Sequence, residues 1–499
     1  MADIEQSSFD EKKASAGHFE HVDIVNASKD DVPTLTEEEE RQLYRKIDRR
    51  LLPILSLMYL LSFMDRGNIG NAKLEGLLTS LHMSSTDYTV ALVMFFVPYC
   101  ICEPISNLAI KRVRPSIYLP TIGLVWGTIM TMMGLVKTYH QLIGVRVCLG
   151  VAEAGLFPGV VYVLTFWYPR HMMQLRIGLF FGAATIAGAF SGLLAYGISF
   201  MSGTRGLKGW SWIFILEGIA TVGVALLAFV VLHGCDSPET ASFLTPKERA
   251  FVSNRQRHAS GSVAAEDDSL DFTYVWKALS DWQVWLSILT YMSVVVPLYA
   301  CALFLPSIIN GFGYSTPVSQ LLTVPPFTFA SICLIIIAYY SDKTKTRYPF
   351  ILFGQTVGLI GFIINISPAP RGVKYFGMFL CTAGIYGSFP GVVAWLGNNL
   401  SPSLKRGIGM ALQIGIGNFG GAISSSVYRT KDQPRYILGH SVVIGFLCMG
   451  LITGPLTVVL YRRINAKRDE MVRSGVLDQY SEEDLSRMGD RAPNFRYVI

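Results

Sequence analysis

Blocks of about twenty apolar residues recur along almost the whole chain. This is the feature that most limits what it can become, because roughly twenty helical residues cross a hydrocarbon core of about 30 Å. Twelve such blocks can be placed, at 50–73, 88–109, 117–136, 141–168, 176–201, 211–233, 282–310, 317–340, 348–367, 373–397, 407–428 and 437–461. Only 16% of the 499 residues are charged, against ~25% in soluble domains. The chain is therefore expected to be an all-α integral membrane protein, with no short alternating segments of the kind that barrel strands would leave. The polar start MADIEQSSFDEKKASAGHFE and the late, long first apolar run argue against a cleavable signal. Eight cysteines are scattered, mostly within spans and without a CxxC pair, and read as small core residues.

The spans divide six and six. Residues 1–49 form an N-terminal tail and lead-in helix, 50–233 a first half, 234–281 a polar linker, 282–463 a second half and 464–499 a tail. Thr36 with Glu39 and Thr245 with Glu248 each have capping-box spacing, the second with Pro246 at the first helical position, so helices should begin at both. Leu43, Ile47 and Leu51 repeat at helical spacing, and that face is expected on the membrane surface. HASGSVAAEDDS in the linker is too polar to order itself, and both tails read as solvated ends. Lys and Arg gather before span 1, after spans 2, 4, 8, 10 and 12, and in the linker, while the opposite loops hold few. That bias predicts cytoplasmic termini and linker. It also accounts for the net charge of +6, which is spread over many loops rather than gathered into a nucleic-acid-binding patch.

The halves repeat each other. Gly155-Leu156-Phe157-Pro158-Gly159-Val160-Val161 matches Gly387-Ser388-Phe389-Pro390-Gly391-Val392-Val393, and each is followed by a basic turn and a glycine-rich span. Small residues let helices approach closely in lipid. Two repeated halves with a site between them near the midplane is a transporter architecture. The charges break the symmetry: span 4 carries Arg146 and Glu153 where span 10 has Met378 and Ile385, and span 7 has no charge.

Asp65 and Arg66 stand side by side within span 1. A charge at the bilayer centre costs roughly 2.5–3.5 kcal/mol on insertion scales, so it must face a bundle interior or a wet cavity. Arg66 can fork toward a carboxylate and is the candidate for a substrate anion; the plainer alternative is an internal ion pair with Asp65. Asp65 can exchange a proton if the cavity dries and an opposing charge leaves. Arg146 and Glu153, seven residues apart, share one face of span 4, with Arg146 holding that span to a neighbour. Asn68 and Asn71 follow on span 1 and are candidates to line the cavity, Asn68 as a substrate contact, with hydrogen bonding between helices as the equal alternative. Tyr291, Tyr299, Asn398, Gln413 and Asn418 are uncharged candidates for the opposite wall, and Glu103 and Glu217 read as packing or gate residues. The isolated histidines give no metal site, and no nucleotide-binding loop is visible, so no cofactor is expected.

Five stretches carry a more specific signal: RKIDRRLLPILSLMYLLSFMDRGNIGNA, RVCLGVAEAGLFPGVVYVLTFWYP, GWSWIFILEG, CDSPETASFLTPKER and SQLLTVPPF. Over roughly residues 40–465 the chain resembles the major facilitator superfamily, and within it the anion:cation symporters, such as fungal permeases for allantoate and nicotinate. The resemblance implies twelve transmembrane helices in two pseudo-symmetric halves, and makes Glu153 a proton-coupling carboxylate alongside Asp65. It also implies a monomeric, multi-pass carrier, expected in the plasma membrane, that takes up a small organic anion with protons. The runner-up is a proton-driven exporter on the same fold, against which a membrane arginine argues if the cargo is cationic. The segment Ser106–Arg112 departs from the superfamily's loop after span 2 by lacking its aspartate, whereas Asp342-Lys343 keeps it after span 8 as a gating contact.

Overall fold

The computed structural model describes residues 35–169, 172–260, 272–429, 432–433, 435–481, 484–485 and 488–499. The linker stretch within 261–271 and the tail 1–34 lie outside the described residues. In chain order the helices are α1 (Glu37–Leu74), α2 (Leu77–Ser80), α3 (Ser85–Arg112), α4 (Pro115–Met133), α5 (Tyr139–Glu153), α6 (Leu156–Trp167), α7 (Met173–Ser199), α8 (Gly209–Val231), α9 (Pro246–Ser260), α10 (Phe272–Leu279), α11 (Trp282–Gly311), α12 (Thr316–Leu321), α13 (Val324–Thr344), α14 (Tyr348–Ile366), α15 (Arg371–Asn399), α16 (Ser403–Val427) and α17 (Ile437–Arg473). Spans 4 and 8 are each made of two helices, α5–α6 and α12–α13. Ten segments among the described residues are long and apolar enough to cross a membrane unaided. The two remaining spans are α1, which carries Asp65 and Arg66, and α16, rich in glycine and polar residues.

Both capping boxes form. Thr36 accepts from the Glu39 amide while Glu39 accepts from the Thr36 amide, and Thr245 and Glu248 do the same. α1 then runs unbroken for 38 residues. Its stripe Leu43, Ile47 and Leu51 is buried inside protein rather than laid on the membrane surface. The linker covers this region: Lys46 pairs with Glu248 at 2.9 Å and Arg255 with Glu40 at 2.6 Å. Asp48 ties the same helix to Arg176 of α7 at 3.0 Å.

The halves meet along two exchanged pairs of spans, α3 against α16 and α7 against α13, with α1 against α11 between them. A two-fold relation that swaps the halves swaps these pairs, as the repeat requires. On the side away from the start of α1, the halves touch backbone to backbone. A Cβ on Gly70 would strike the Leu303 carbonyl, and one on Gly192 would strike Gln320 and Thr323. On the other side the seam is aromatic, with Phe181 stacked on Phe389 at 3.9 Å between ring centres.

The repeated motif folds unevenly. Pro158 has no N–H for the carbonyl of Ala154, four residues back, and span 4 is interrupted at Ala154–Gly155. Span 10 runs through Pro390 as one helix.

The segment after α17 is folded, not solvated. Residues 489–499 return onto the second half, where Asp490, Ala492 and Tyr497 are buried. Lys405 binds Asp281 at 2.5 Å and Asp490 at 2.8 Å. Arg468 donates to the Asp490 carbonyl, Tyr497 stacks on Tyr461 at 4.5 Å, and the Val498 carbonyl accepts from Trp395 and Asn399. Burial pushes the Asp490 carboxyl above the usual carboxylate range, with Lys405 opposing the shift.

Candidate functional site

Arg66 points from α1 into the space between the halves. Its Nε donates to Glu153 Oε1 at 2.7 Å, and its Nη1 donates to the Tyr299 hydroxyl of α11 at 2.9 Å. Ser62, one turn before Arg66 on α1, donates to the same Glu153 oxygen. The guanidinium lies 4.6 Å from the Tyr99 ring centre and 5.6 Å from that of Phe95. Arg66 and Glu153 are 4% and 0% exposed, so this is an ion pair taken fully out of water. Two atoms are left over: Arg66 Nη2 and Glu153 Oε2 are buried with no hydrogen-bond partner among the described residues. A cation with a spare donor can offer a hydrogen bond to an anion, and a carboxylate with a spare oxygen can accept a proton.

Asp65 does not pair with Arg66. Adjacent residues on a helix point about 100° apart and cannot face each other. Asp65 turns into the first half, where Trp126 Nε1 donates to its Oδ2 at 2.9 Å. Arg146 is buried, lies 5.9 Å from the Phe95 ring centre and feels the charges of Glu153 and Asp65. Its Nε and Nη2 have no hydrogen-bond partner among the described residues.

A small space beside Arg66 is lined by Tyr59, Phe63, Arg66, Tyr99, Phe157, Phe181, Tyr291, Val295, Leu298, Tyr299, Phe389 and Asn418. Every one of these residues is buried. Of the polar residues expected on the second-half wall, Tyr291, Tyr299 and Asn418 are there. Asn418 also reaches across the halves, donating to Glu103 Oε2 at 3.2 Å. Gln413 and Asn398 lie elsewhere: Gln413 donates to Ser287 within the second half, and Asn398 sits one residue from the end of α15. Asn68 accepts from Ser191 at 2.7 Å and so fastens α1 to α7, while Asn71 lines a neighbouring space with Gly67, Ser191 and Phe327. Glu217 is buried on α8 behind Asp65, away from the lining. Asp342, in the last turn of α13, pairs with Arg347 at 2.9 Å. Ser106–Arg112 is the end of α3 rather than a loop, and Ser106 hydrogen-bonds Tyr118.

Tyr291 and Tyr299 were expected in this wall; its other rings, among them Tyr59, Phe63, Phe157, Phe181 and Phe389, are the part that residue-by-residue reading passed over. Two signals for it exist. Tyr59, Phe63 and Arg66 follow one another at i, i+4 and i+7 on one helix face. Phe157 and Phe389 hold the same place in the repeated motif, and folding brings their rings to 6.5 Å.

Paired halves, an interrupted helix and a buried cation at their interface are the architecture of a membrane transporter. The Major Facilitator Superfamily pattern matches residues 55–425, and the chain belongs to that superfamily. It is 35% identical to the MFS-type transporter cnsO of Penicillium expansum, over 92% of this chain and 90% of that protein. It is 30% identical to the high-affinity nicotinic acid transporter of Saccharomyces cerevisiae, over 98% of this chain and 90% of that protein. Among solved structures it resembles the proton:xylose symporter XylE in fold, with a TM-score of 0.62 and 15% identity, over 81% of this chain and 94% of that one.

Proposed function

We propose that this transporter takes up a small organic monocarboxylate, of the size and flatness of nicotinate, together with protons. The observation that carries this reading is the buried, unpartnered Nη2 of Arg66 at the edge of an aromatic-lined space. A cargo carboxylate would take that donor. Protonation of Glu153 at its spare oxygen would then release the Nε that Glu153 now holds, giving the cargo two parallel hydrogen bonds. Tyr299 would move with the second half and sense whether Arg66 is engaged. Rings on several sides suit a planar cargo, since stacked and edge-on aromatic contacts add roughly 0.5–1.5 kcal/mol each. The nicotinic acid specificity in the name of the yeast relative agrees with this chemistry. In this reading the protein works as a monomer in the plasma membrane, with both termini in the cytoplasm.

The test is uptake of a panel of labelled carboxylates by a transport-null strain, at two external pH values. An acid that accumulates faster at the lower pH, and whose amide does not compete, supports the proposal. Transport of the amide as readily as the acid overturns it.

A further inference from the structure

On the face of α1 that Asp65 presents to α4 and α8 lies a second arrangement of carboxylates, and among the described residues no cation bonds to it. Asp65 is fully buried; its Oδ2 takes the Trp126 N–H and its Oδ1 has no hydrogen-bond partner among the described residues. Glu217 on α8 is 3% exposed, its carboxyl meets that of Asp65, and neither of its oxygens has a partner either. The Thr221 hydroxyl, one turn further along α8, is equally unpartnered and within reach of Asp65. The charged groups facing the pair come from α5, where Arg146 and Glu153 lie within electrostatic range of Asp65. α4 contributes the uncharged indole of Trp126.

Leaving so many buried acceptors without a donor is unfavourable, because each has given up its hydrogen bonds to water. A single proton between the carboxyls removes most of that deficit: one becomes a donor, the other its acceptor, and the like-charge repulsion disappears. We propose that Asp65 and Glu217 share one proton, and that Glu217 is a positioning residue for the proton Asp65 carries during transport. Glu217 is then more than a packing or gate residue. The inference rests on the proton-coupled reading above and adds a specific second carboxyl to it. No bond other than O–H is made or broken; the proton enters from water on one side and leaves to water on the other.

The experiment uses the full-length protein in proteoliposomes, with nicotinate and then the best acid from the uptake panel as probes. A one-unit pH gradient is worth about tenfold in accumulation for each coupled proton. Glu217→Gln replaces the shared proton with a fixed amide donor, and should lose about that factor and flatten the pH profile. Glu217→Asp, which keeps a carboxyl, should restore the pH dependence. In parallel, infrared spectra of the wild-type protein at neutral pH should show a protonated-carboxyl band that weakens in Glu217→Gln. A Glu217→Gln protein with wild-type pH profile and accumulation overturns the inference, as does a wild-type spectrum with no protonated carboxyl. Wild-type accumulation that ignores pH, with the band still lost in Glu217→Gln, sinks the proton-coupled reading and leaves the shared proton standing.

Discussion

Arg66 of the first half and Tyr299 of the second are joined by a 2.9 Å hydrogen bond, in a chain whose halves otherwise meet mainly through rings and glycines. The bond makes the state of the cation legible to the half that does not carry it. Tyr299→Phe keeps the ring and removes the hydroxyl. A hydrogen bond to a charged group contributes roughly 1.5–3 kcal/mol. KM for the cargo acid should rise about tenfold or more, with the protein still reaching its membrane. An unchanged KM would separate Tyr299 from recognition.

Arg66 itself can be tested by shape. Lysine keeps the charge and loses the fork. Arg66→Lys should weaken monocarboxylate binding about tenfold, because one charge-assisted bond of roughly 1.5–3 kcal/mol is lost. Arg66→Ala should abolish uptake and strand Glu153 without its cation. Binding by scintillation proximity, alongside surface expression, distinguishes the two.

Glu153→Gln removes the spare oxygen on which a proton would ride. Uptake by the wild-type protein should rise as external pH falls, since a proton must load from outside. The variant should lose this rise. Counterflow, which needs no net deprotonation, should suffer less than accumulation. Intact pH-driven accumulation in this variant would falsify the role given to Glu153.

The folded C-terminal segment offers a stability test away from the site. Lys405 is the shared cation of Asp281 and Asp490, and all three are buried. Removing one partner of a buried pair typically costs about 3–5 kcal/mol, because charge is left unpaired. Lys405→Ala should lower the thermal unfolding temperature in detergent and open the chain to trypsin at Arg491 and Arg496. The sequon Asn399-Leu400-Ser401, which the Lys and Arg bias puts on the cytoplasmic side, should carry no glycan, and a glycan there would overturn that orientation.

Much of the fold was legible because lipid imposes length: the apolar blocks and the basic loops both leave marks that survive without any knowledge of contacts. α1 and α16 are legible only in company, since the polar residues that face the interface dilute their apolar character. At the site, the cost of a buried charge singled out Arg66 and Glu153. It could not say who pairs with whom. Asp65 and Arg66 are neighbours in sequence yet point to different helices, toward Trp126 and Glu153. The docked segment 489–499 escaped notice for a related reason. It is short and mixes charged residues with Ala492, Phe495, Tyr497 and Val498 in no helical pattern, and its burial depends on Lys405 and Arg468, far away in sequence. Tyr59, Phe63 and Phe157 read as core because a ring in a membrane helix is ordinary until a cavity is found beside it.

The two barriers around the cavity are built from different materials, and they should fail differently. Rings such as Phe181 and Phe389 can turn about their own side-chain bonds, so that barrier can yield locally while the helices stay still. Gly70 against the Leu303 carbonyl, and Gly192 against Gln320, have no side chain to swing aside. That side opens only when whole helices part, on the microsecond-to-millisecond scale of domain rocking. Water and small ions would leak first past the rings, and the glycine seam would set the pace of the full cycle.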